Sequence, residues 1–421
     1  MRHPLLTLAA ILAGFMLSAQ PQAFSPAFTP ESAGFSSVRL QRLDAFLQEW
    51  VRSGKAPQLV ALVERGGQVA FHRAYGVRNL ETGDPARPDD LFRLASQTKL
   101  VTTVAAMMLY EEGKFLLDDP VASYLPEFSK PRILVSHDPK TGKYQTRPAS
   151  RPLTVRHLLT HTAGIPYEHP LDGLPEFQVP FFNALEPITL EQMVRRLAAR
   201  PLLHEPGEAF TYGLGTDILG RLVEVWSGQP LAGFFAERIF APLGMRDTWF
   251  YLPGSADRSR LVELYEKPDA GKPLALSASE ANRSYGYAGA QTFYSGGAGL
   301  IGTAEDYARL CRMLLNGGTF NGHRLLSPAT VAYMTQHQTG DLRVWDRQDG
   351  FSFGLQVVRP ETRYGDPAPP GTLIWGGMYC SEYTIDPASD AVMMIYTNVH
   401  PYAHYGELVR KFRVLVYQAM E

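Results

Sequence analysis

The sequence has few cysteines, almost no net charge and little in the way of long apolar runs. Two cysteines, Cys311 and Cys380, stand in 421 residues, which excludes a cysteine-rich zinc module and a small disulfide scaffold. Lys and Arg total 40 against 42 Asp and Glu, a formal charge of −2, so there is no basic field for a nucleic acid. Beyond the N-terminus no segment approaches the ~20 apolar residues of a membrane span. No G-x-S-x-G elbow occurs, which leaves an α/β-hydrolase triad unsupported. His157 and His161 have the i, i+4 spacing of a zinc pair without the glutamate of H-E-x-x-H. With Leu158 and Leu159 between them they read as structural histidines of a buried helix. Gly296-Gly297-Ala298-Gly299 is followed by no Lys-Ser or Lys-Thr, so it reads as a close approach to a strand and not as a phosphate loop. No cofactor motif and no internal repeat appear, and neither a cofactor nor a metal ion is expected.

What is present is a globular composition, 45% hydrophobic and 11% aromatic. At about 150 residues per domain this is two to three domains or one enzyme-sized unit. Met1-Arg2-His3 precedes an apolar run from Leu5 to Leu17, and Ser18, Ala19 and Ala23 follow. That is the pattern of a signal peptide over residues 1–23, with a retained membrane anchor as the alternative. It places the protein in the periplasm or outside the cell, with no membrane span once the signal is removed. In such a compartment Cys311 and Cys380 are either a pair or two buried free thiols.

The elements follow from periodicity. Leu40, Leu43, Phe46, Leu47, Trp50 and Val51 predict a helix capped by Ser36 or Ser37. Leu59–Val63 and Val69–Phe71 flank Gly66-Gly67, a hairpin signal. Tyr383–Ile385 and Val392–Tyr396 predict two more strands around a turn at residues 386–390, and 408–417 a closing helix. The middle is helical at 100–110, 155–159, 190–197, 217–226 and 231–239, with proline-rich connectors. The expected architecture is α/β with a helical insertion: an antiparallel sheet flanked by helices, built from residues 24–97 and 283–421, and a mostly helical domain over 98–282.

The chemistry starts at Ser96-Gln97-Thr98-Lys99, an S-x-x-K. On a helix, i and i+3 share a face. A serine hydroxyl is a poor nucleophile until a base takes its proton. A lysine amine serves when burial or nearby positive charge favours its neutral form. A serine at a helix N-terminus also has backbone N–H groups aimed at a developing oxyanion.

This segment resembles the active-site serine region of the serine β-lactamase and penicillin-binding protein superfamily. It is most similar to the class C branch that includes the family VIII carboxylesterases. Other stretches agree in chain order: residues 156–165 with His157-Leu158-Leu159-Thr160-His161-Thr162, residues 207–220 with Tyr212, residues 240–245 with Pro242-Leu243-Gly244-Met245, and residues 296–306. The resemblance extends from about Ser36 to the C-terminus and implies a β-lactamase/transpeptidase-like fold.

It also implies roles. Tyr212 stands where the family carries Tyr-x-Asn, and it would take the Ser96 proton and deliver it to the leaving group. A phenol ionises near 10, so this requires a phenolate or a proton shared with a lysine. The asparagine position is Leu214, which removes an amide that would hold an amide substrate. A literal Lys140-Thr141-Gly142 is present, but it lies too early, in a polar stretch without a strand pattern, and reads as a coincidence. The matching position is Trp375-Gly376-Gly377, as in family VIII esterases. The Met378 N–H would join that of Ser96 as the oxyanion hole. Tryptophan in place of lysine removes a partner for a substrate carboxylate, so neutral or apolar acyl esters gain over anionic ones, unless an arginine from elsewhere restores the charge. Tyr167, Phe177, Phe181 and Phe182 are candidate walls of the acyl pocket.

The expected protein is an exported serine hydrolase working through an acyl-enzyme on Ser96, a carboxylesterase on small or apolar acyl esters. The alternatives are a β-lactamase, D,D-peptidase or D-amino-acid amidase on the same fold, and a non-catalytic binding homologue. The expected partner is a small-molecule ester or amide.

Overall fold

The computed structural model describes residues 24–345, 348–363 and 365–421; the signal peptide read over 1–23 lies outside the described residues. Ser37–Arg52 forms α1, capped by Ser36, whose Oγ accepts from the Arg39 amide at 3.4 Å. Its buried residues Leu40, Leu43, Leu47 and Trp50 recur on one face. β1 (Gln58–Arg65) and β2 (Gln68–Gly76) follow. Gly66 and Gly67 both have positive φ, 59° and 80°, as a tight two-residue turn between twisted strands requires.

α2 (Thr98–Glu111) is buried on every side from Thr98 to Leu109, beyond the single stripe that its periodicity suggests, because it runs through the centre of the molecule. Next come α3 (Gly215–Ser227) and α4 (Ala304–Leu315), then β3 (Leu373–Gly377), β4 (Ser381–Asp386), β5 (Ala391–Tyr396) and the closing α5 (Tyr405–Tyr417). The sheet has eight strands in the order Ser25–Pro26, β2, β1, β5, β4, β3, Gln356–Val357, Gly350–Phe351. Neighbours are antiparallel as expected, except that Ser25–Pro26 runs parallel to β2 and makes the sheet mixed.

Alternation assigns the two faces. Leu59, Ala61 and Val63 of β1 and Ala391, Met393 and Ile395 of β5 pack with α1 and α5. Their neighbours Val60, Leu62, Val392, Met394 and Tyr396 point to the opposite face, into the core with α2 and α4. Covered on both faces, β1 and β5 read as unbroken apolar runs.

Three sequence expectations change. The helix expected over 231–239 begins as Leu231–Phe235, continues through a π-helical turn at Ala236–Phe240 and ends at Leu243. The polar stretch read without strands is part of a hairpin, Arg132–His137 with Tyr144–Pro148. Its strands pair mainly with each other and stay largely exposed, so no apolar alternation marks them. Lys140-Thr141-Gly142 lies at its turn, where Asp138 accepts from the Lys140 amide at 2.9 Å and the Thr141 hydroxyl at 2.7 Å. Finally, the first two glycines of the 296–299 stretch approach a helix and not a strand: a Cβ on Gly296 would lie 2.8 Å from the Thr216 carbonyl oxygen and 3.2 Å from the Gly220 Cα of α3.

Candidate active site

The site is built where three backbone segments touch. Ala95–Gln97 is a 3-10 turn that leads directly into α2, and buried Ala95 holds φ at 46°, in the left-handed region. Such strain persists where surrounding packing imposes it. The imposing contact is β3: a Cβ on Gly377 would sit 2.3 Å from the Leu94 carbonyl oxygen. Only glycine lets this strand reach the turn, and it carries Met378 to the cavity that Ser96 also lines.

Lys99 is one helical turn from Ser96 and fully buried. Its Nζ is 3.2 Å from Ser96 Oγ, 2.6 Å from Tyr167 Oη and 2.7 Å from the Gly297 carbonyl oxygen. Three oxygens thus hold the amine from three sides. Tyr212 precedes α3 and presents its ring to Lys99, 4.9 Å from Nζ to centroid. A Cβ on Gly213 would fall 2.0 Å from the Ile165 carbonyl oxygen, so the chain there crosses the 165–166 backbone directly. The crossing sets the rings of Tyr167 and Tyr212 5.4 Å apart. His161, whose φ is 53°, supports Tyr212 edge-on at 4.7 Å. Burial holds that imidazole neutral, well below its usual range, with Lys99 adding to the effect. Burial raises the Tyr167 phenol well above its usual value, helped by Tyr212 and Asp217 and opposed by a hydrogen bond with Ser96.

Sequence reasoning missed two members of this network. Tyr167, read as a pocket wall, is a direct partner of Lys99. Nothing in its proline-rich segment distinguishes a wall tyrosine from a hydrogen-bonding one. Asp217 is buried in the first turn of α3, and its Oδ1 accepts from Ser295 Oγ at 2.6 Å and the Gly297 amide at 3.2 Å. It thereby fixes the carbonyl that Lys99 donates to. Burial raises its carboxyl, against the pull of Ser295 and Lys99. A Cβ on Gly297 would lie 2.5 Å from Asp217 Oδ2, which explains the second glycine of that stretch.

Ser96, Tyr212, Trp375, Gly376, Gly377 and Met378 line one cavity of about 320 Å³. Trp375 meets the Tyr212 ring at 5.3 Å, and Trp345 stacks on Trp375 at 5.3 Å and 24°. Leu214 is buried and faces a neighbouring chamber with Tyr167 and Phe181. Phe182 packs with Ala95, Tyr285 and Tyr379, and Phe177 against Tyr144, outside both chambers. His157 Nδ1 accepts from the Thr154 amide at 3.1 Å, a helix cap. Among the described residues no cluster of three or more His, Cys, Asp or Glu is placed to hold a metal.

The β-lactamase family profile matches residues 43–418. The chain belongs to the β-lactamase family. Esterase EstB of Burkholderia gladioli is 31% identical over 407 residues, 93% of this chain and 97% of that protein. Among solved structures, EstCE1, described as a hydrolase with promiscuous acyltransferase activity, superimposes with a TM-score of 0.75 at 30% identity, covering 90% of this chain and 98% of its own. The simvastatin synthase LovD of Aspergillus terreus gives 0.76 at 25% identity, covering 91% and 98%. The fold is β-lactamase/transpeptidase-like, and the enzyme class of this family member is serine hydrolase.

Proposed function

We propose that the protein is an exported carboxylesterase that forms an acyl-enzyme on Ser96. The observation that carries this is the 3.2 Å contact between the fully buried Lys99 Nζ and the Oγ of Ser96, which lines one cavity with Tyr212. Ser96 Oγ attacks the ester carbonyl, and its proton passes into the Lys99–Tyr212 pair. The amides of Ser96 and Met378 stabilise the tetrahedral oxyanion. Tyr212 returns the proton to the departing alcohol, and water then releases the acid by the reverse path. Tyr167 and the Gly297 carbonyl, the latter held by Asp217, keep the amine in place.

Trp375 favours an ester with a small or apolar acyl group, because it offers an aromatic face where a lysine would meet a carboxylate. Leu214 gives no amide to a peptide or β-lactam. A chromogenic cephalosporin is therefore expected to acylate the enzyme far more slowly than an ester. The apolar run at residues 5–17 supports export to the periplasm or beyond; N-terminal sequencing of the mature protein checks it. The test of the chemistry is Ser96→Ala against a short-chain p-nitrophenyl ester, with turnover expected to fall about 10³-fold or more. Undiminished turnover in the folded variant would contradict the assignment.

A further inference from the structure

β3 leaves one edge open. Gln356–Val357 pairs with it only at Leu373 and Ile374, so from Trp375 onward that edge has no strand beside it among the described residues. The cavity follows this edge from Ser96 and Tyr212, on one face of the sheet, to α5 on the other. Gly376 permits the passage: a Cβ there would lie 2.7 Å from Tyr405 Oη, in the first turn of α5.

Three groups along this path are donors without acceptors, whereas Tyr405, Arg413 and the Glu382 carboxylate, which line it too, are paired with one another. Gln356, 4% exposed, lines the cavity with an Nε2 that is buried and has no hydrogen-bond partner among the described residues. The same is true of Trp375 Nε1. Arg410 is exposed at the α5 end and folds back over Gly406, its Nη2 3.6 Å from where a Cβ of that glycine would stand. No carboxylate among the described residues pairs with it. The acids nearby are committed elsewhere. Glu382 accepts from Arg413 and, at 2.8 Å, from Tyr405 Oη, while Asp366 Oδ2 takes two further Arg413 nitrogens at 3.0 and 2.7 Å. Buried N–H groups left without acceptors are costly, and a guanidinium is built to grip a carboxylate or similar oxyanion.

We propose that the substrate's alcohol half is flat and apolar beside the ester and ends in an anionic group held by Arg410 and Gln356. The flat part lies along the stacked Trp375 and Trp345, which is 37% exposed at the cavity mouth. The alcohol occupies this cavity because Tyr212, which returns the proton to the leaving oxygen, lines it, whereas Tyr167 lines the other chamber. The inference rests on the esterase reading above and names its substrate class. It also supplies the charge that Trp375 removes, but at the far end of the cavity.

The test compares the acetate esters of 4-hydroxybenzoate, 4-hydroxyphenylacetate and 3-(4-hydroxyphenyl)propanoate with those of their neutral carboxamides. The carboxamide phenols are the better or equal leaving groups, so a preference for the anions cannot come from intrinsic reactivity. For at least one reach, kcat/KM is expected to favour the anion by about ten-fold, mostly in KM. Arg410→Gln should bring that ratio to about one, and Arg410→Lys should retain part of it. Ratios near one throughout in the wild type, or a preference that survives Arg410→Gln, would overturn the inference. If none of the six esters is turned over, the esterase reading falls, and this inference with it.

Discussion

A hydroxyl group decides how tightly the Lys99 amine is held. Tyr167 Oη lies closer to Lys99 Nζ than Ser96 Oγ does, 2.6 Å against 3.2 Å, and burial keeps that phenol protonated. It can thus accept from the amine without competing for the Ser96 proton. Tyr167→Phe is expected to lower kcat for a p-nitrophenyl ester about 10²-fold with KM little changed. A parallel rise in KM would point instead to a wall of the acyl pocket, the role that the sequence suggests. This is where legibility ended at the residue scale. Ser96 and Lys99 stand in a motif whose spacing carries their chemistry, and Tyr212 in a stretch whose role the family resemblance implies. Tyr167 and Asp217 do not: each acts through a partner brought from 68 or more residues away, and no local period records such a contact.

At the scale of elements, the site depends on two close backbone approaches. Gly377→Ala would drive a Cβ into the Leu94 carbonyl and push β3 away from the Ser96 turn. The expected result is a loss of about 10²-fold in kcat/KM, larger than the accompanying loss of thermal stability implies. Full activity in that variant would show that Met378 does not contribute its amide to the oxyanion. α4 carries a titration that can be read in stability. Asp306 accepts from the Asp247 amide at 2.7 Å and Thr248 Oγ1 at 2.9 Å, yet burial pushes its carboxyl from the ordinary 3.8 up to about 6. A folded-state value above the unfolded one means that folding takes up a proton. The associated stability is full below the unfolded value of 3.8 and is lost as pH rises through about 6. Asp306→Asn should therefore gain on the wild type between pH 4 and pH 7.5, by about 1–3 °C in Tm. A wild type that gains on the variant as pH rises over that range would contradict the sign. Periodicity predicted the helices α1, α2, α3 and α5 because each has a face to bury. The hairpin at 132–148 and the helical approach of Gly296 escaped it, one because both strands lie mostly in water, the other because a glycine's contact leaves no side chain to read.

The whole molecule explains the scarcity with which the sequence begins. Cys311 and Cys380 are both free and buried, and burial raises both thiols well above their usual value. A sheet covered on both faces supplies the core, and no cross-link closes it. Among the described residues no helix is long and apolar enough to cross a membrane. Strands from both ends of the chain meet in one sheet, and β3 within it faces the serine turn at the start of α2. The central claim is that an acyl group is carried on Ser96 at that junction. Intact-mass analysis of the enzyme quenched in acid during turnover of a p-nitrophenyl ester measures it directly. The account predicts a mass increase of one acyl group, mapped to the peptide that contains Ser96 and absent from Ser96→Ala. An acyl group mapped to any other residue, or an active enzyme that never carries one, would contradict it.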